Sequence, residues 1–219
     1  MARHQDTSSV VGLTNYDNME YLELFPACVQ THQTELDIDS LTSFCYNVQR
    51  KHNKGVELSN LGGWQSGNIK NNPHPEFVKL LSEIQFATNI YHNKLQFKKE
   101  FKQELCNIWI NINGKGHSNE YHIHAKSALS GVFYLTDSKF PIMFKHPYEE
   151  VNTYYWEEEF IESHNNLNSG QWSVTPKKNT LLIFPPWLYH KVAMNKENSN
   201  RISISFNTVF NKNEWGEYP

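Results

Sequence analysis

Hydrophobic positions along this chain follow two rhythms, and the change between them falls near residue 104. Behind Asp39, the residues Leu41, Phe44, Cys45 and Val48 recur at three- and four-residue steps, which predicts a short amphipathic helix with Asp39 as its N-cap. A second helix is predicted from Pro75-Glu76, where proline suits a first turn, with Phe77, Leu80, Leu81 and Ile84 on one stripe. Both stripes call for an apolar partner, so the helices are expected to pack on a sheet. Between them, the segment from Asn60 to Asn68 is rich in glycine and asparagine and carries Trp64; it reads as a loop.

Beyond residue 104 the period becomes two. From Cys106 to Asn113, isoleucines alternate with a mainly polar set that also contains Trp109, the pattern of a strand with two unlike faces. Similar runs follow at Leu129 to Leu135, Pro141 to Phe144, Gln171 to Val174, Thr180 to Phe184, Tyr189 to Met194 and Arg201 to Phe210. Many short strands with turn signals and no intervening helical pattern predict a sandwich or barrel, here a jelly roll. The expected class is mainly β with flanking helices. Residues 1–20 read as an N-terminal extension and 21–219 as a single domain, with helical support and loops over 21–104 and the jelly-roll core over 105–210.

Composition narrows the function classes. A hydrophobic fraction of 38% with 14% aromatics argues for a packed core rather than disorder. The formal net charge of −3 gives nucleic-acid binding no electrostatic support. Three widely spaced cysteines, Cys28, Cys45 and Cys106, argue against a disulfide framework and for a reducing compartment. Neither a signal-peptide core nor a membrane-length apolar run is present in the sequence, so a soluble cytoplasmic protein is expected.

The candidate chemistry lies in an ordered set: His122-Ile123-His124, then His190, then Arg201-Ile202-Ser203. Two imidazoles two residues apart on an extended segment share a face, and a third from a distant strand closes a three-point metal site. With 11 histidines in the chain, a His-x-His pair is common by chance, and each imidazole has an ordinary hydrogen-bonding role as its alternative. Context favours the site: the pair precedes a strand-like run, and His190 follows Pro185-Pro186, which stiffen its approach. Arg201, Ser203, Ser205 and Asn207 fall on one strand face and Ile202, Ile204 and Phe206 on the other. A polar row opposite an apolar row suggests a wet interior. There a guanidinium fork and a hydroxyl can hold a carboxylate. A strand arginine is equally at home in solvent, so spacing alone leaves both readings open.

A wider set of residues resembles a family of 2-oxoglutarate and Fe(II)-dependent oxygenases. The set comprises Trp109-Ile110-Asn111, Gly116, Asn119, His122-Ile123-His124, the run Leu129 to Leu135, the run Leu182 to Val192 and the run Arg201 to Asn207, with Leu24-Phe25-Pro26 and Gly62 to Ser66 upstream. The resemblance, over roughly residues 20 to 210, implies a double-stranded β-helix of the prolyl-hydroxylase-like branch, an Fe(II) cofactor and 2-oxoglutarate as co-substrate. His122 and His190 then correspond to the two histidine ligands, Arg201 and Ser203 to the pair holding the distal carboxylate of 2-oxoglutarate, and Tyr134 to an additional donor. Its partners are 2-oxoglutarate, O2 and a substrate the sequence does not identify. The departure is His124, where the wider superfamily carries a carboxylate. Either three neutral imidazoles bind the metal, or the third position belongs to water or to a carboxylate such as Glu120 or Asp137.

Trp109 and Asn111 share a strand face and line a substrate pocket in one reading; stacking and hydrogen bonding within the barrel is the blander one. Trp64 is a candidate cover for the site. The acidic, aromatic stretch from Tyr148 to Glu159 reads as a solvated loop, and His117, His146 and His164 as surface residues. Two rival functions remain: a three-histidine cupin-like dioxygenase that does not use 2-oxoglutarate, which leaves Arg201 and Ser203 idle, and a non-catalytic β-sandwich module that stacks ligands on Trp64 and Trp172.

Overall fold

One pair of long strands organises the molecule. In the computed structural model, which describes residues 21–211, β4 (Gln103–Asn113) and β11 (Arg201–Phe210) run antiparallel along their whole lengths. Directly opposed residues share a face, so the alternation visible in each sequence is reinforced by the other. Ile112 faces Ile202, Ile110 faces Ile204 and Ile108 faces Phe206, all at most 5% exposed. The intervening rungs pair Asn113 with Arg201, Asn111 with Ser203, Trp109 with Ser205 and Asn107 with Asn207. One face of the ladder is hydrocarbon; the other is polar. The expected N-terminal extension over 1–20 lies outside the described residues.

Among the described residues nine further strands complete two antiparallel sheets. The first orders β1 (Gln30–Gln33), β9 (Thr180–Phe184), β6 (Leu129–Tyr134), β11, β4 and β3 (Trp64–Gln65). The second orders β2 (Asn60–Leu61), β5 (Ser118–His122), β10 (His190–Val192), β7 (Ile142–Lys145) and β8 (Gln171–Val174). This is the expected mainly β, jelly-roll arrangement with flanking helices. The strands β1, β2 and β3 carry too few residues for a period-two signal, and β10 is shorter than the run from Tyr189 to Met194 predicted.

Helices α1 (Ile38–Lys51) and α2 (Pro75–Lys94) cover the apolar face of the first sheet. Leu41, Phe44, Phe77, Leu80 and Ile84 join Ile108, Ile110, Ile204 and Phe206 in one core, each 4% exposed or less. Capping differs from the expected pattern in one position. Asp37, not Asp39, is the N-cap of α1: its backbone is extended and its carboxylate accepts from the Ser40 amide at 3.0 Å. Asp39 sits in the first turn, where its charge still suits the helix dipole. The acidic stretch expected as a solvated loop contains a seven-residue helix, α3 (Glu149–Tyr155), and one 3-10 turn at Glu158–Phe160.

Between the sheets, Val132, Tyr134, Ile142, Phe144, Leu182, Phe184 and Leu188 form a second, smaller core. It fills only part of the interior. The rest, bounded by the polar rungs of β4 and β11, is a cavity of about 530 Å³. Strands β5 and β10, neighbours in the second sheet, border it with an irregular register: His190 pairs with His122, but Val192 pairs with Asn119. Among the described residues, no helix is long and apolar enough to cross a membrane.

Candidate metal and dicarboxylate site

Three histidines converge at the cavity. His122 closes β5, His124 lies two residues beyond it, and His190 opens β10, directly opposite His122. The paired prolines hold this junction: the His124 amide donates to the Pro186 carbonyl at 2.9 Å. Ile123 projects outward, 49% exposed, so the flanking imidazoles face inward together. One ligand-capable nitrogen from each ring lies within 4.8 Å of the others. His124 Nε2 and His190 Nε2 approach to 3.3 Å.

The backbone fixes which nitrogen is free. His122 Nδ1 lies 2.7 Å from the Glu120 carbonyl and His190 Nδ1 2.7 Å from the Leu188 carbonyl. A carbonyl only accepts, so each Nδ1 carries the proton and each Nε2 presents a lone pair to the cavity. His124 has Asn207 as its hydrogen-bonding partner and stacks on Trp109, ring centroids 5.8 Å apart and 23° between planes. Burial disfavours protonation of all three; with mutual repulsion it holds His124 down at about 4 and His190 at about 3. The rings are therefore neutral at physiological pH. His190 Nε2 can accept a hydrogen from His124 Nε2 at 3.3 Å, and with the other tautomer of His124 all three rings turn a lone pair to one point, so the cluster could hold a metal ion. Glu120 and Asp137 are not part of it: Glu120 is exposed, and the Asp137 carboxylate accepts from the Lys178 amide at 2.8 Å.

Arg201 lies on the polar face of β11 and is 3% exposed. Its Nη1 donates to the carbonyls of Ala193 at 2.9 Å and Phe140 at 3.4 Å, while Nη2 is buried with no partner. Among the described residues neither Asp nor Glu lines the cavity, although Glu197 outside it attracts the guanidinium. Burial lowers the guanidinium's proton affinity, but arginine starts so high that it stays charged. A desolvated cation with one unused edge is costly unless an anion completes it. Ser203 and Tyr134, paired across β11 and β6, line the cavity beside it.

Trp109 and Asn111 also line the cavity, with Asn111 Nδ2 donating to Ser205 Oγ at 3.0 Å. Trp64 does not cover it. That indole is 8% exposed within the helix-side core, its Nε1 donating to the His52 carbonyl at 2.9 Å, and the cavity wall is made instead by Gln65, Ser66, Gly67 and Asn68. This also removes Trp64 as a surface ligand platform, although Trp172 is 50% exposed. His117 caps a turn by accepting from the Gly114 amide, and His164 sits 2.9 Å from Glu158; neither lies in the cavity. Asn207, on the polar row expected from the sequence, lines the wall together with its rung partner Asn107, which the sequence did not single out. The signal for Asn107 is period two: it lies two positions before Trp109 on the same face of β4.

Residues 107–207 match the family model described as "Putative 2OG-Fe(II) oxygenase". This span runs from within β4 to within β11 and includes every histidine of the cluster and Arg201. No curated protein matches the chain by sequence. Among solved structures, a prolyl-4-hydroxylase from Pseudomonas putida superposes with a TM-score of 0.57 at 13% identity, covering 84% of this chain and 93% of that one. AviO1 from Streptomyces viridochromogenes gives 0.60 at 9% identity, covering 89% and 94%. HygX from Streptomyces hygroscopicus, solved with nickel and 2-oxoglutarate bound, gives 0.54 at 10% identity, covering 83% and 82%. At these identities the likeness is one of fold.

Proposed function

We propose, from the match of residues 107–207 to the model of the 2OG-Fe(II) oxygenase family, that His122, His124 and His190 hold Fe(II) and that Arg201, Ser203 and Tyr134 hold 2-oxoglutarate. The protein is an oxygenase of that class; its substrate is a separate question. Iron and 2-oxoglutarate, when bound, supply the oxidising chemistry: O2 is consumed, one oxygen atom ends in succinate with release of CO2, and the other goes to the substrate, which is most simply hydroxylated.

The chain's own residues provide position and seclusion. Carbonyls of Glu120 and Leu188 fix the tautomers and ring planes of His122 and His190, so the lone pairs are set before metal arrives. Arg201 offers its unpartnered Nη2 to a carboxylate, with the Ser203 hydroxyl one rung along the same face. Phe184 and Phe144 pack their rings against His190, at 4.8 and 5.9 Å between centroids, keeping water off that side. Trp109, stacked on His124, and Asn111 border the space left for the substrate.

The observation that carries this reading is the buried Arg201 guanidinium, whose Nη2 has no hydrogen-bond partner among the described residues, in a cavity that they line without Asp or Glu and that also holds three converging imidazoles. A three-histidine dioxygenase without 2-oxoglutarate accounts for His124 but not for that arginine. Anaerobic titration of the Fe(II)-loaded protein with 2-oxoglutarate tests it. A visible charge-transfer band that saturates with 2-oxoglutarate is expected, as is succinate formation in air; metal-dependent O2 uptake indifferent to 2-oxoglutarate would favour the rival. We read residues 21–219 as a single oxygenase domain. The unpaired cysteines Cys28, Cys45 and Cys106 suit a reducing, cytoplasmic setting.

A further inference from the structure

The oxygenase cavity does not end at its own wall. Val56, Ser66, Gly67 and Asn68 line it on one side and a broad open groove on the other. That groove runs under the end of α1 and the start of α2, and its charged residues are Lys51, Lys54 and Lys70. All three lysines are exposed, and none has an ion-pair partner among the described residues. The His74 ring also lines the groove, its Nδ1 buried without a hydrogen-bond partner. Neither lining contains Asp or Glu. The whole chain has a formal net charge of −3, so this run of uncompensated positive charge opposes the global balance.

Orientation follows from β11. Arg201, where 2-oxoglutarate is anchored in the reading above, and Asn207 are six positions apart on one strand face, which separates them by roughly 20 Å. Asn207 forms a rung with Asn107, whose Oδ1 is buried and unpartnered. The Arg201 end is thus taken by the co-substrate, and the Asn107 end, toward Asn68 and the groove, remains for the substrate. Trp109 lies between them.

We propose that the substrate is an elongated organic molecule with a phosphate group at the end remote from the oxidised carbon, the phosphate seated against Lys51, Lys54 and Lys70. This rests on the oxygenase reading of the cavity. Lysines favour phosphate over carboxylate here: three exposed ammonium groups on flexible stems line one groove and can each act as a point charge toward a compact dianion, whereas a carboxylate gains most from the planar fork of arginine, which is not among the groove's lining residues. Three neutral imidazoles sharpen the preference, because iron, Arg201 and 2-oxoglutarate together leave the interior with a net positive charge that an anionic ligand complements. Asn107 Oδ1 accepts a hydroxyl or amide hydrogen from the substrate's middle.

The test is calorimetric titration of inorganic phosphate, and separately of malonate, into the anaerobic Fe(II)–2-oxoglutarate complex, in which Arg201 and the metal are already engaged. Phosphate should bind more tightly than malonate. The K51E/K54E/K70E variant, which changes exposed positions only, should weaken phosphate binding by about ten-fold or more while leaving the charge-transfer band with 2-oxoglutarate unchanged. Malonate binding as tightly as phosphate, or a triple variant that binds phosphate like the wild type, overturns the proposal. Failure of the wild type to form the band would instead overturn the oxygenase reading beneath it.

Discussion

The functional load of the site falls on a few side chains whose environments differ from water in specific ways. His190 is 3% exposed and ringed by Phe144 and Phe184, so His190→Ala removes a donor nothing nearby replaces. Fe(II) affinity should fall by about 100-fold or more in calorimetry. His124→Asp tests the charge balance: it supplies the carboxylate the cluster lacks, and Fe(II) affinity is expected to rise on the order of ten-fold. Arg201→Lys keeps the charge but loses the fork, so the KM for 2-oxoglutarate should rise by roughly ten- to a hundred-fold with a smaller change in kcat. Protonation gives a further check on the metal-free protein. His124 and His190 titrate at about 4 and about 3 when folded, against 6.5 in an exposed chain. Below pH 6.5 the unfolded state takes up protons the folded state refuses. Stability is therefore complete above that pH and declines as pH falls toward 4, which urea melts with a chelator present will register.

At the scale of elements, the rungs of β4 and β11 explain both what the sequence discloses and what it conceals. Their alternation of isoleucine with polar residues is readable residue by residue, because a strand between a hydrocarbon core and a wet cavity must obey period two. That placed Arg201, Ser203, Trp109 and Asn111 on the cavity face from sequence. The strands β1, β2 and β3 stayed hidden because two to four residues carry no period, and the burial of Trp64 stayed hidden because its contacts, His52 and the helix-side core, come from other elements. The α1 cap was misplaced by two residues, since Asp37 and Asp39 are equivalent as residue types and only backbone conformation separates them. Close sheet contact yields its own prediction. A Cβ on Gly131 would strike the Phe206 ring and approach the Leu182 carbonyl to 2.6 Å, so Gly131→Ala should cost about 1–3 kcal/mol in urea unfolding.

For the molecule as a whole, two cores with different tasks share one sheet. The helix-side core is one continuous apolar cluster; the core between the sheets is partial, and the volume it leaves unfilled is the cavity. Packing that would have added stability is absent where the proposed metal and co-substrate would sit. Metal and co-substrate should consequently return stability by mass action. At a hundred times its Kd, a ligand specific for the folded state adds about 2.7 kcal/mol, so Tm in thermal melts should climb with Fe(II) concentration, fall with a chelator, and stay flat in the His190→Ala variant.

The register irregularity between β5 and β10 decides which chemical groups the chamber sees. Asn119 and His122 both line it although they are three positions apart, a spacing that a regular strand would send to opposite sides. The extra residue absorbed between them turns Glu120 outward, where its amide donates to the Ser59 carbonyl at 3.0 Å. Were Val192 to pair with Glu120 instead, strict alternation from His122 would aim that acid at the imidazoles and expel Asn119. A single register shift therefore keeps a negative charge out of reach of the proposed metal and preserves the all-nitrogen character of the cluster.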